Sequence, residues 1–424
     1  MTKNSFLSEL AARRRFGMKP GLETISALCR ILGDPQKTFP AIHVAGTNGK
    51  GAVCAILDAA LRGAGLRAVG RYTSPHLVSL NERFFIDGAP ADDATLERLA
   101  RRVSDAAQEL PPDCELTFFE ALTAVAFLLY AERESEVAVL ECGLGGRLDA
   151  TNVCAPRLCV VTKIGLDHCD WLGDTVEKIA AEKAGIVKRG VPVVVGRNEP
   201  VVVETIRRIA EERGAPFVYA PDVASESEIP ASFSLPGSFN RENAVTAIAA
   251  LKTLGVAVDA AAFGRVEWFG RFQKVGNFVI DGAHNPPAAR ALAEALRELA
   301  GDAAAHAFTL VFGACGDKDV GEVLRTLAPF VGRAFAVKTN NPRSLAADAL
   351  AAKMRESGID ATPCGSLGEA LRAAGEGTPA SKTGAAAFPR VLVCGSLFLA
   401  GEALVELGAA PWASSRFDPS ERLR

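Results

Sequence analysis

Short apolar runs alternate with longer stretches of helical periodicity along the whole chain. AIHVAG is followed by AVCAILDAALRGAG, then come LRAVGRYT, VAVLEC and LCVVTKIG, and VPVVVG is followed by VVVETIRRIAEERG. Continuously apolar strands separated by amphipathic helices predict parallel βαβ units with helices on both faces, so the expected fold class is α/β. A second set follows, with NFVIDGAHNP leading into AARALAEALRELAG, then AFTLVFGACG, RAFAVKT and RVLVCGSLFLAGEAL. Between the sets lie an Ala-rich helix expected from Asn243 to Leu254 and a segment rich in Gly and aromatics from Ala262 to Asn277. A boundary near 270 divides the chain into 1–269 and 270–424. Arg372 to Pro389, rich in Ala, Gly, Ser and Thr, reads as a surface loop.

Composition narrows the class. At roughly one domain per ~150 residues, 424 residues allow two or three domains. With 49% apolar and 23% charged residues, the chain is neither disordered nor fibrous. A formal net charge of -3, from 47 basic and 50 acidic side chains, offers no positive field for a nucleic-acid backbone. The longest apolar stretch, Ala121 to Ala131, is about half of the ~20 residues a membrane helix needs, carries Thr123 and is bounded by Glu120 and Glu132. It reads as a core helix, and no membrane partner is expected. The N-terminal residues are basic but lack an apolar block with a small-residue cleavage site, so the expected location is cytoplasmic. Ten dispersed cysteines without a CxxC read as reduced core residues, not as bridges or a zinc site.

The candidate chemistry begins at AIHVAGTNGKGAV, where a strand runs through Gly46, Thr47, Asn48, Gly49, Lys50 and Gly51 into a helix. Glycines let backbone N–H groups approach phosphates, and a lysine neutralises the terminal ones. The strict GxxxxGK[ST] pattern fails at Val44 and Gly51, so a tight turn without a nucleotide stays open. Ser74, Glu141 and His168 each fall just beyond a predicted strand, on the edge where open α/β sheets bind ligands. Singly, they read equally well as a turn former, a strand-end charge and a loop histidine. A helix is expected to begin near Asp174, with Glu177 completing a capping-box-like start. Its apolar stripe, Val176, Ile179, Ala180 and Val187, includes Lys183. An ammonium group on a buried face is costly unless it is paired, deprotonated or converted to a carbamate.

GTNGKG resembles the phosphate loop of the Mur ligase superfamily, and other blocks narrow the resemblance to the folylpolyglutamate synthase and dihydrofolate synthase family. These are FGMKPGLE (16–23), HVAGTNGKG (43–51), YTSPHL (72–77), FFEALTAVAF (118–127) and ECGLGGRLDATN (141–152). LDHCDWLGDTVEKIAAEKAGIVK (166–188), VIDGAHNP (279–286), GDKD (316–319) and NNPR (340–343) follow in the same order. The resemblance implies a P-loop-type parallel-sheet ATPase domain that also holds the pterin, then a smaller Rossmann-like glutamate ligase domain. It implies a monomeric, ATP-dependent ligase joining L-glutamate to dihydropteroate, to folates, or to both, through an acyl phosphate. By resemblance, ATP meets the loop residues 46–51 together with Asn243, Arg271, Asp281 and His284. Magnesium meets Ser74, Glu141 and His168, and a carbamylated Lys183 bridges a second ion. Thr117, Phe119, Asp149 and Ala150 hold the pterin. Lys50, Lys183 and His168 are the expected catalytic residues, with domain closure around the linker near 270.

A histidine in a magnesium shell is unusual and leaves zinc as the weaker alternative. Two departures from the family pattern stand out. Ala52 occupies a position usually held by Ser or Thr, and Phe239 and Asn240 stand where His-Gln is frequent. Two rival readings follow: a Mur-type ligase acting on a UDP-sugar peptide, and a nucleotide-binding protein with impaired catalysis. Retention of Lys50, Ser74, Glu141, His168 and Lys183 together argues against the second.

Overall fold

A computed structural model describes residues 21–316, 319–376 and 390–410. Residues 16–20 of the first family block, Asp317 and Lys318 of GDKD, and 377–389 of the expected surface loop lie outside the described residues. The chain forms two compact units. Among the described residues, the first comprises 21–76, 80–235 and 240–267, and the second comprises 77–79, 236–239 and those from 268 to 410.

The first unit is built on an eight-stranded sheet. Its strands are β1 (Ala41–Ala45), β2 (Gly70–Tyr72), β3 (Phe84–Ile86), β4 (Ala89–Pro90), β5 (Ala138–Glu141), β6 (Pro156–Val161), β7 (Val193–Val195) and β8 (Phe217–Tyr219). They lie in the order β4-β3-β2-β5-β1-β6-β7-β8. From β2 to β8 every pairing is parallel, and only β3, near one edge, pairs antiparallel with its neighbours β2 and β4. All five residues of β1 are buried, as a central strand covered on both faces requires. The loops after β2, β5, β1 and β6 therefore leave one carboxyl edge from four adjacent strands.

The second unit carries a six-stranded sheet of β9 (Gln273–Val275), β10 (Phe278–Ile280), β11 (Phe308–Phe312), β12 (Val331–Ala336), β13 (Ala361–Pro363) and β14 (Val391–Cys394). Its order is β13-β12-β11-β14-β10-β9, with only β9 antiparallel. Successive strand residues feed two cores. Leu310, Phe312, Leu392 and Cys394 pack with helices on one face, and Val311, Val391 and Val393 pack with helices on the other. That alternation is why these strands read as continuous apolar runs and not as a period of two.

The α/β expectation holds, with local corrections. Arg372–Glu376 complete a helix, Leu367–Glu376, because Leu367, Ala370, Leu371 and Ala374 form a buried stripe at helical spacing. The Ala-rich helix runs from Ser238 to Thr253, starting five residues earlier than expected, directly after Pro236 and Gly237 (φ +91°) end the preceding segment. The apolar stretch lies in the helix Phe118–Glu132, and among the described residues no helix is long and apolar enough to cross a membrane. All ten cysteines are free thiols, eight of them buried, with Cys114 half-buried and Cys169 exposed.

Candidate active site

Helix α1 (Lys50–Gly63) starts at the end of the loop that follows β1. Gly46 and Gly49 have φ of +150° and +87°, which side-chain-bearing residues rarely adopt. A Cβ on Gly46 would stand 1.9 Å from Thr162 Oγ1, and one on Gly49 would stand 2.2 Å from Asn243 Oδ1. The loop is latched from the strand beside it. Thr47 and Asn48 N–H groups donate to the Lys163 carbonyl at 2.8 and 3.1 Å, and Thr162 Oγ1 donates to the Asn48 carbonyl at 2.8 Å. Thr47 Oγ1 donates to the Gly165 carbonyl at 3.1 Å. Asn198 braces that second segment, donating to the Thr162 carbonyl at 3.0 Å and accepting from Ile164 N–H at 2.7 Å. Residue patterning does not single out Thr162 or Asn198, because their role is a contact with residues distant in sequence.

Glu141 ends β5, opposite Val44 in the β1 register. Its buried carboxylate accepts the Ser74 N–H at 3.0 Å and stands 3.9 Å from Lys50 Nζ. Lys50 also donates to the Thr47 carbonyl at 3.2 Å. Ser74, Glu141 and Lys50 thus meet at one edge. His168 lies three residues beyond Gly165 on the loop after β6, with its backbone left-handed (φ +53°) and its N–H donating to Asp167 Oδ1 at 2.9 Å. Among the described residues no group of three or more His, Cys, Asp or Glu side chains forms a cage by itself.

Helix α3 spans Val176–Lys183, and its N-cap is Thr175, not Asp174. Thr175 accepts from Lys178 N–H, while Asp174 turns outward to pair with Lys178 Nζ at 2.8 Å. The β-region backbone of Thr175 (φ -128°, ψ 154°) is the geometry a cap needs, so the cap lies one residue further on. Lys183 at the other end is 4% exposed, and its Nζ donates to the Gly46 carbonyl at 2.8 Å. Among the described residues no carboxylate comes within ion-pair distance of it. Burial first, and then the Lys50 charge, push its ammonium from 10.5 down to about 7.

Thr117 caps helix α2 (Phe118–Glu132) in a full capping box with Glu120. The Phe119 ring lies against Gly143 and packs with Tyr72 at a centroid distance of 6.0 Å. Asp149 is buried inside its own loop, accepting from Leu144 N–H at 2.8 Å, Thr151 N–H at 3.0 Å and Thr151 Oγ1 at 2.5 Å. Ala150 begins the buried turn that follows. The structure brings Phe119 to the Gly143–Asn152 loop that holds Asp149 and Ala150, whereas the contacts of Thr117 are within its own capping box. Asn243, from the helix Ser238–Thr253, faces Gly49 and donates weakly to Asn240 Oδ1 at 3.4 Å, so one of the two departures from the family pattern touches the phosphate loop at one remove.

In the second unit, Asp281 follows β10. Its two oxygens accept Phe272 and Ala283 N–H groups at 2.7 Å each. Burial raises its pKa, and the Arg271 charge opposes that rise. His284 Nδ1 lies 2.8 Å from the Gly282 carbonyl, and Asn285 caps the helix Pro286–Ala300.

A glycine loop opening a helix at the carboxyl edge of a parallel sheet, with a buried lysine donating to that loop and a second α/β unit later in the chain, matches an ATP-dependent ligase of the Mur type. Residues 44–220 match the Mur ligase middle domain, and residues 264–397 match the Mur ligase, glutamate ligase domain. The dihydrofolate synthase/folylpolyglutamate synthase of Bacillus subtilis is 36% identical over 375 residues, covering 80% of this chain and 86% of that protein. The structure of E. coli FolC in complex with DHPP and ADP superimposes with a TM-score of 0.83 at 32% identity, covering 96% of this chain and 98% of that one. A bifunctional folylpolyglutamate synthase/dihydrofolate synthase with Mn, AMPPNP and L-glutamate bound gives a TM-score of 0.80 at 30% identity, covering 96% and 98%. The chain belongs to the dihydrofolate synthase/folylpolyglutamate synthase family, and it is an ATP-dependent, amide-forming ligase. This is the folate branch of the Mur ligases, which sets a UDP-sugar peptide aside as substrate.

Proposed function

We propose that this ligase joins the amine of L-glutamate to the free carboxylate of dihydropteroate, and to that of reduced folates, and that it works as a monomer. The observation that carries the reading is the convergence of Lys50, Glu141 and Lys183 on one glycine loop, in a chain of the folate branch. ATP supplies the phosphoryl group that converts the carboxylate to an acyl phosphate, which the amine then displaces. The protein's part is positioning and charge neutralisation. Residues 46–51 and Asn243 cradle the phosphates, and Lys50 neutralises them. The second unit's nucleotide contacts are Arg271, Asp281 and His284. Thr117, Phe119 and the Asp149–Ala150 turn form the pterin side.

A divalent ion fits the first unit's donor set, in which a buried carboxylate (Glu141) and a hydroxyl (Ser74) supply hard oxygens and His168 adds an imidazole. Those three residues would hold it, and carbamylated Lys183 would hold a second. Bound there, magnesium would offset phosphate charge.

Coupled ADP release in the presence of magnesium and L-glutamate, with dihydropteroate and tetrahydrofolate supplied separately, tests the reading. Turnover with both substrates is expected. Turnover with dihydropteroate alone restricts the enzyme to the synthase reaction, and turnover with neither refutes the proposal.

Ala52 is 4% exposed in the first turn of α1, at the position where the family resemblance implies Ser or Thr. Ala52→Ser is expected to lower the magnesium concentration for half-maximal activity by several-fold, on the order of what one added oxygen near a metal shell contributes. A magnesium titration of both proteins at saturating ATP measures it.

A further inference from the structure

β1 is an aliphatic strand except for one residue. His43 is fully buried between Ile42 and Val44, and its partners across the sheet register are Leu140 and Cys159. Its Nε2 lies 2.8 Å from Thr151 Oγ1 and 3.1 Å from Cys142 Sγ, while its Nδ1 is buried with no partner among the described residues. An aliphatic side chain would be cheaper here, because an orphaned ring nitrogen in a core costs stability. The cost points to a task the imidazole performs.

The direction of the hydrogen bonds shows what that task is. Thr151 Oγ1 stands 2.5 Å from Asp149 Oδ1. With Asp149 ionised, the single hydroxyl proton of Thr151 goes to the carboxylate, so the hydroxyl oxygen accepts from His43 Nε2–H, and the ring is the neutral tautomer with Nδ1 bare; burial raises the Asp149 pKa, and hydrogen bonds from Thr151 and Leu144 oppose that rise. Burial keeps the ring neutral, holding its pKa down at about 3. Asp149 in turn accepts Leu144 N–H at 2.8 Å. A continuous chain therefore runs from β1 through Thr151 and Asp149 to the Gly143–Leu144 turn, on which Phe119 rests. The same β1 reaches the phosphate loop three residues later, at Gly46.

We infer that His43 is a positioning residue: through Thr151 and Asp149 it sets the pterin-side turn in register with the phosphate loop. The inference rests on the pterin side assigned above. In the full-chain enzyme, His43→Leu removes the donor, whereas His43→Gln keeps an N–H at a similar reach. His43→Leu is expected to raise KM for the pterin substrate by about tenfold, the scale for losing a supporting hydrogen bond, with KM for ATP within about twofold and Tm not lowered. His43→Gln should recover most of the pterin KM. Thr151→Val should match His43→Leu, and the double variant should be no worse than either single one.

An unchanged pterin KM in His43→Leu, a parallel rise in both KM values, or a Gln variant no better than Leu would each overturn the inference. If His43→Leu does not fold, the Gln and Thr151→Val variants carry the same comparison, and a normal pterin KM in Thr151→Val overturns it. Phe119→Ala tests the underlying site separately. If that variant leaves pterin KM unchanged, the pterin-side reading fails whatever His43 does.

Discussion

Lys183→Met is expected to lower kcat by about 10³-fold or more, the scale for removing a group that acts on developing phosphate charge, while leaving the fold at least as stable. The two effects separate because the amine is a liability to the fold. It is buried, its one hydrogen-bond acceptor is the neutral Gly46 carbonyl, and no carboxylate among the described residues pairs with it. The unfolded chain holds this proton up to the ordinary lysine value of 10.5, whereas the native chain holds it only to about 7. Between those values the unfolded state binds more protons, so native stability rises with pH; the penalty is fully present below the lower value and gone above the upper one. Methionine lacks the penalty. In buffer stripped of carbon dioxide, the Tm advantage of Lys183→Met over the native enzyme should be widest near pH 6.5 and narrow towards about pH 9.5.

The same depressed pKa makes the amine reactive, since only its neutral form adds to carbon dioxide. Adding bicarbonate should raise the activity of the stripped native enzyme, and 13C-bicarbonate should give a carbamate carbon resonance that is absent in Lys183→Met. Acetate should partly restore Lys183→Ala by placing a carboxylate where the carbamate stood. No bicarbonate response, no resonance and no acetate rescue would leave Lys183 as a buried amine that braces Gly46.

Much of this arrangement is legible along the chain because it depends on period. β1, β5 and β6 are almost wholly buried and show as apolar runs broken only by His43, the terminal Glu141 and Arg157, and Lys183 interrupts an apolar stripe at helical spacing, which marks it before any contact is known. The misread ends are local contests. Asp174 and Thr175 are both good caps, and backbone geometry together with the outward Asp174–Lys178 pair settles the choice for Thr175. Arg372–Glu376 have loop-like composition, but Leu371 and Ala374 face a core that only the folded unit supplies. What does not show is the wiring between distant segments. Thr162 reaches Asn48 across more than a hundred residues, and His43 reaches Thr151 across a similar gap. A threonine or histidine near a strand carries no mark of such a partner, because hydrogen bonding is decided by sheet order, and sheet order here departs from chain order.

Glu141→Gln is expected to cost about 10²–10³-fold in kcat/KM and to raise the magnesium requirement steeply, with little loss of stability. Glutamine fills the same space, and its carbonyl oxygen still accepts the Ser74 N–H now held at 3.0 Å. What it removes is the charge. Lys50 Nζ, 3.9 Å from the carboxylate, loses its counter-ion in a site shielded from water, and the metal ion proposed above for Ser74, Glu141 and His168 would lose its one ionised oxygen. If the role of Glu141 were only to brace the TSPH turn, Gln would be silent, because the N–H bond survives. If its role were only to pair with Lys50, ATP affinity would fall while the magnesium dependence stayed unchanged. A dual role predicts that raising magnesium recovers part of the lost rate but never all of it, and that Glu141→Asp, which keeps the charge at shorter reach, falls between Gln and the native enzyme. Magnesium titrations of the three proteins at fixed ATP, with Tm recorded alongside, separate these outcomes.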